Sequence, residues 1–137
     1  MDWHPLVIHF PLALWPAALA LDLIAWLARR PAWHPPALLL QAAAAAGALA
    51  GVLTGNAAAV VHRASALAPA IERHEDWATL ALCCLLAAVL GRLGLHLRGQ
   101  PGGRSMAVWS LIAGTATALL WIAAHYGGLL VHGAGSP

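Results

Sequence analysis

Pro5-Leu-Val-Ile-His-Phe-Pro-Leu-Ala-Leu-Trp-Pro-Ala-Ala-Leu-Ala-Leu-Asp-Leu-Ile-Ala-Trp-Leu-Ala28 is a run of 24 residues with one carboxylate, Asp22, and no basic side chain, and Arg29-Arg30-Pro31 follows it at once. A helix needs about 20 apolar residues to cross a hydrocarbon core of about 30 Å, so this run is a candidate span. His4-Pro5 supplies a helix start, and two arginines and a proline supply the stop. Working outward, three similar runs follow: 37–61 after Pro35-Pro36, 74–97 before the turn-forming Gly99-Gln-Pro-Gly-Gly103, and 105–128. The expected fold is an all-α membrane protein, a four-transmembrane-helix bundle formed by a single domain over 1–137.

Composition points the same way. The chain is 61% hydrophobic and 9% charged, with a mean hydropathy of +0.75, which no soluble domain of this length sustains over its surface. All its basic residues are arginine, and a formal charge of +2 confined to connections gives no footing for a nucleic-acid partner. Cys83 and Cys84, adjacent inside an apolar run, read as small core residues rather than a disulfide or a metal pair. The first apolar run lacks a basic leader and a cleavage site, so it is expected to remain in the mature protein.

Arg29, Arg30, Arg98 and Arg104 fall in two connections on one side, whereas Arg63 and Arg73 on the other side are offset by Asp2, Glu72, Glu75 and Asp76. The positive-inside rule makes the 29–36 and 98–104 loops cytoplasmic and sends both termini outward. In a bacterium this means a multi-pass protein of the inner membrane with periplasmic termini. Trp26, Trp33 and Trp109 are expected in the inner aromatic belt, and Trp3 and Trp77 in the outer one.

That topology gathers six of the eight histidines on the outer side: His4, His9, His62, His74, His125 and His132. On span two, Gly47, Gly51, Gly55 and His62 share a face; on span four, Gly114, Ala118, Trp121, His125, Gly128 and His132 do; on span three, His74, Trp77, Ala81, Leu85 and Ala88 do. Small residues in such stripes are also what plain helix contacts use, with the histidines at the interface. The sharper reading is a metal centre. Two imidazoles from facing helices hold a haem iron, and glycines let a flat macrocycle approach the backbone, whereas a zinc or copper ion wants three or four converging ligands. Arg63 and Arg73 flank the histidines and suit propionates. Glu72, Glu75 and Asp76 read as a solvated helix N-terminus, as imidazole partners, or as ion ligands.

Asp22 lies inside a span, two turns before Arg29, and pairing with Arg92 or with Arg29 or Arg30 competes with a proton-transfer role. Pro11 and Pro16 are expected to bend the first span near His9.

The string His4-Pro-Leu-Val-Ile-His-Phe-Pro-Leu-Ala-Leu14 resembles the opening of a bacterial membrane-protein family known as domain of unknown function 2231. Thr54-Gly55, His74 followed by an acidic residue and Ala78, and Gly127-Gly128-Leu-Leu-Val131 are similar to its later elements. After Gly128 the chain departs from the family pattern, in which a longer segment precedes a His-Gly, so the resemblance supports His132 less than the other histidines. The resemblance implies a four-helix membrane domain found beside or joined to Rieske or cytochrome c modules, and hence a redox setting.

The expectation is a small b-type cytochrome holding one or two haems and transferring electrons. His9 and His74 are its first candidate axial pair and His125 and His62 its second, with Gly51, Gly55, Arg63 and Arg73 lining the site and His4 and His132 peripheral or additional metal ligands. A copper- or zinc-binding protein using the same histidines, and a cofactor-free subunit of a larger complex, are the competing readings. Lipid, a periplasmic cytochrome c or Rieske-type protein, and a second copy of the chain are the expected partners. No nucleophile–base pair, phosphate loop or catalytic carboxylate pair appears in the spans, which argues against a hydrolase or transferase.

Overall fold

The computed structural model describes residues 4–62, 64–99 and 103–133, with the side chains of residues 4–8, 62 and 131–133 left aside. Four long helices carry the fold: α1, His4–Leu27; α2, His34–Ala59; α3, Ala68–Leu97; and α4, Gly103–Gly133. Each is long and apolar enough to cross a membrane. Prolines sit at the second or third position of α2 and α3, where a missing N–H costs nothing. Single 3₁₀ turns, Pro31–Trp33 and Val60–His62, flank α2.

α1 packs chiefly on α2 and α3 on α4; α2 against α3, and more lightly α1 against α4, close the ring. α1 and α3 therefore face each other across the diagonal. The core contains Trp15, Ala44, Ala45, Leu82, Leu85, Ala88, Met106, Trp109, Ala113 and Ala116. Alanine dominates it because, in lipid, helices gain by close approach rather than by escaping water. Two tryptophans tie this layer together through their indole N–H groups: Trp15 donates to Thr117 Oγ1 at 3.0 Å, and Trp109 to the Ala88 carbonyl at 2.9 Å.

Several details differ from the sequence expectation. α3 begins at Ala68, six residues before the expected span, because Glu72-Arg73-His74-Glu75-Asp76 is polar yet helical. Those acids then lie beyond the first turn, where a helix dipole no longer accounts for them. α1 runs as one helix through Pro11 and Pro16, both inside it as expected, with Pro11 buried against α2. Trp109 is buried inside the bundle rather than placed in a belt, while Trp33 is exposed in the loop. Cys83 points outward and only Cys84 packs against the core; both are free thiols.

α1 ends in a Schellman turn: the Arg30 N–H bonds the Ala25 carbonyl at 2.7 Å and the Arg29 N–H the Trp26 carbonyl at 3.2 Å. Arg29 occupies the left-handed position, φ 53°, that glycine favours, and Gly99 does the same job after α3 at φ 94°. Arg29→Gly should therefore stabilise the protein by up to about 1 kcal/mol, measured by unfolding in detergent.

Candidate functional site

The bundle has two chemically distinct ends. The arginine end carries the 28–33 connection, the end of α3 with Arg98 and Gly99, and the start of α4; the terminal end carries the start of α1, the end of α2 and the start of α3, and the end of α4.

Near the arginine end, about 8 Å inside the last residue of α1 by helical rise, Asp22 is fully buried. An ionised carboxylate offers about four acceptor positions, and here four donors reach it. Arg92 of α3 binds side-on, Nε to Oδ2 at 2.5 Å and Nη2 to Oδ1 at 2.9 Å. His34 of α2 reaches Oδ1 from Nδ1 at 2.5 Å, and Gln41 Nε2 approaches Oδ2 at 3.4 Å. A bidentate guanidinium keeps the carboxylate ionised, so His34 Nδ1 carries the proton and donates. The Arg92 guanidinium also lies 5.6 Å from the centre of the Trp109 ring, which brings α4 into the same cluster. All four helices thus meet at one buried ion pair. Gln41 Oε1 and Arg92 Nη1 are buried with no hydrogen-bond partner among the described residues.

Of the alternatives for Asp22, the structure selects Arg92; Arg29 and Arg30 are exposed in the loop. Sequence reading missed His34 and Gln41, although a signal was there. They are seven residues apart on α2, two turns on one face, and Gln41 is one of two amides, with Asn56, in an alanine-rich helix.

At the terminal end, His74 is half-buried between α3 and α4. Its Nδ1 donates to the Ala123 carbonyl at 3.0 Å, since a carbonyl only accepts. The ring lies on Gly127, where an added Cβ would stand 3.0 Å from Cε1. Glycine is needed there for the imidazole to approach the α4 backbone. Beside it Trp77 stacks on Tyr126, with ring centres 6.3 Å apart and planes at 7°. The Arg73 guanidinium sits 6.0 Å over the same Tyr126 ring, and His125 meets that ring edge-on.

The other candidate residues are less convergent. His9 is exposed on α1, diagonally across from the helix that carries His74. The α2 glycine face turns toward α1: Gly47 receives Phe10 and Pro11, Gly51 is buried and Gly55 half-buried. This is a close helix contact of the small-residue kind. The α4 face of Gly114, Ala118, Trp121 and His125 is exposed, so it points away from the bundle instead of toward its neighbours. Nothing lies within 4 Å of a Cβ built at Gly114 or Gly128. The side chains of His4, His62 and His132, and all of Arg63, lie outside the described residues. Among the described residues no three His, Cys, Asp or Glu side chains converge as a bare ion would need.

Asp22→Leu leaves Arg92 buried without its carboxylate and should cost about 3–5 kcal/mol. Gln41→Leu should change stability by less than about 1 kcal/mol, because its 3.4 Å contact is weak and its carbonyl already lacks a match. Unfolding of both variants in mixed micelles, against the parent protein, checks the contrast.

No curated protein and no solved structure gives a significant match to the chain. A family model does, over residues 2–136, under the description "Predicted membrane protein (DUF2231)". With nearly its whole length matched, and four helices fit to span a membrane, the chain belongs to that family of membrane proteins, domain of unknown function 2231.

Proposed function

We propose that this membrane protein is a small electron carrier of the b-type cytochrome kind, holding haem at the terminal end with His74 Nε2 as the first axial ligand. The observation that carries the reading is the His74–Ala123 hydrogen bond. An imidazole that ligates metal through one nitrogen usually donates the other N–H to a carbonyl or carboxylate, which fixes tautomer and ring direction. His74 is held in that way through Nδ1.

Packing limits where such a group fits. From Trp15 to the arginine end the interior is filled by Trp15, Leu85, Met106, Asp22 and Arg92. Toward the terminal end fully buried side chains thin out, and α3 has none before Ala81 among the described residues. The His74 level is therefore where a macrocycle would suit the bundle, although Gly51 and Gly55 on α2 lie on the face turned to α1. His9 is exposed and the His125 face points away from the bundle, so either ring would have to turn inward to become a second ligand, and Arg73 would answer a propionate. Haem held there by two imidazoles would supply one-electron chemistry, which suits transfer rather than substrate turnover. Trp77 and Tyr126 stack on each other beside His74, one helical turn deeper along α3 in the case of Trp77.

The arginine bias of the connections supports a bacterial inner-membrane protein with both termini in the periplasm, where a cytochrome c or Rieske-type protein is the fitting redox partner. A cofactor-free subunit is the second reading, favoured by the small-residue face of α4 that no helix of this chain covers. Copper or zinc binding by the outer histidines is weaker, because the described donors do not form a set of three.

The protein purified in detergent should show a Soret band that shifts on dithionite reduction, and His74→Ala should abolish it. A colourless protein would reject the cytochrome reading, and bound zinc or copper in stoichiometric amount would replace it. A full Soret band in His74→Ala would reject the ligand assignment.

A further inference from the structure

The Asp22 cluster has more polar capacity than fastening helices requires, and one of its members touches the outside. Asp22, Gln41 and Arg92 are fully buried, while the His34 side chain retains 11% of its exposure at the first residue of α2. His34 is thus the one member of the cluster with an open edge, and it stands at the start of α2 beside the arginine loops. The rest of the cluster is sealed. Beyond Gln41 the α2 face continues as buried Ala44, Ala45 and Ala48, and Trp15 and Leu85 fill the interior opposite. The next polar pair, Trp15 with Thr117, lies two turns of α1 beyond Asp22, about 10 Å by helical rise.

We propose that His34 and Asp22 form a proton-binding site that opens to the arginine end of the membrane and is closed to the other. One proton from water adds to His34 Nε2 and leaves by the same route, while the Nδ1–H stays on the Asp22 carboxylate throughout. With neutral His34 the Asp22–Arg92 pair sums to zero charge; after uptake the cluster carries one positive charge shared over a single carboxylate. Asp22 is the carboxylate that holds the imidazole in this tautomer, in the manner of an acid-oriented general base.

The surrounding charges are the following. On α1 and just after it stand Asp22 and the exposed Arg29 and Arg30; on α3, Arg92, then exposed His96 one turn onward, then Arg98; on α4, exposed Arg104, with uncharged Trp109 against Arg92. Glu72, Glu75 and Asp76 are at the far end of α3. No other described carboxylate competes for His34.

Nitrogen NMR of histidine-labelled protein in nanodiscs, followed from pH 5 to 8, tests this directly. One imidazole, missing in His34→Gln, should titrate at Nε2 and keep a slowly exchanging Nδ1–H at both ends of the range. Should His34→Gln fail to fold, cross-peaks to Pro35 identify the ring in the unaltered protein. A ring that does not change over the range, or whose neutral form carries its proton on Nε2, overturns the proposal. In vesicles with the protein in one orientation, the infrared difference signal of that ring should follow a pH step on the arginine side; a response to the opposite side alone would overturn the closure.

Discussion

The bidentate contact between Asp22 and Arg92 is the constraint on which the bundle rests. It runs across the diagonal, from α1 to α3, two helices that otherwise barely meet. A carboxylate or a guanidinium alone at that depth is costly in lipid, so each fixes the other's helix in rotation and height. His34 and Gln41 bring α2 to the same carboxylate, and Trp109 brings α4 to the guanidinium. Alanine packing around the pair would permit sliding by small steps. A side-on ion pair does not, because both of its hydrogen bonds weaken steeply with angle.

The pair also divides the molecule into unlike halves. Toward the arginine end the interior is full and the Asp22 oxygens are matched by four donors, while Gln41 Oε1 and Arg92 Nη1 are not matched among the described residues. Toward the terminal end fewer described side chains are fully buried, and His74 is held by a backbone carbonyl on a glycine that gives it room. On the cytochrome proposal, the fixed end would set helix spacing and the other end would take the cofactor.

Much of this was legible in the sequence, for identifiable reasons. Four apolar runs bounded by arginines, prolines and glycines mark four spans because lipid leaves the backbone no other solution. Asp22 had to find a cation, and Arg92 was one of three within reach. The start of α3 was harder to see, since hydropathy marks what lipid touches and not where a helix begins; Ala68 to Arg73 is helix outside the apolar run. The α4 stripe shows a second limit. Period 3.6 correctly put Gly114, Ala118, Trp121 and His125 on one face, but with lipid on one side and alanine core on the other, nothing in the period says which way that face points. His34 and Gln41 were hidden for a related reason: the glycines of α2 drew attention to a neighbouring face, and counting histidines favoured the opposite end of the chain.

A double-mutant cycle between Asp22 and Arg92 goes to the centre of this picture, with both residues replaced by leucine singly and together and unfolding followed in one micelle system. If the two side chains share one buried contact across the diagonal, the double variant should be far less damaged than the sum of the singles, with a coupling on the order of 3 kcal/mol. Losses that simply add would place the two residues apart and contradict the arrangement of the four helices.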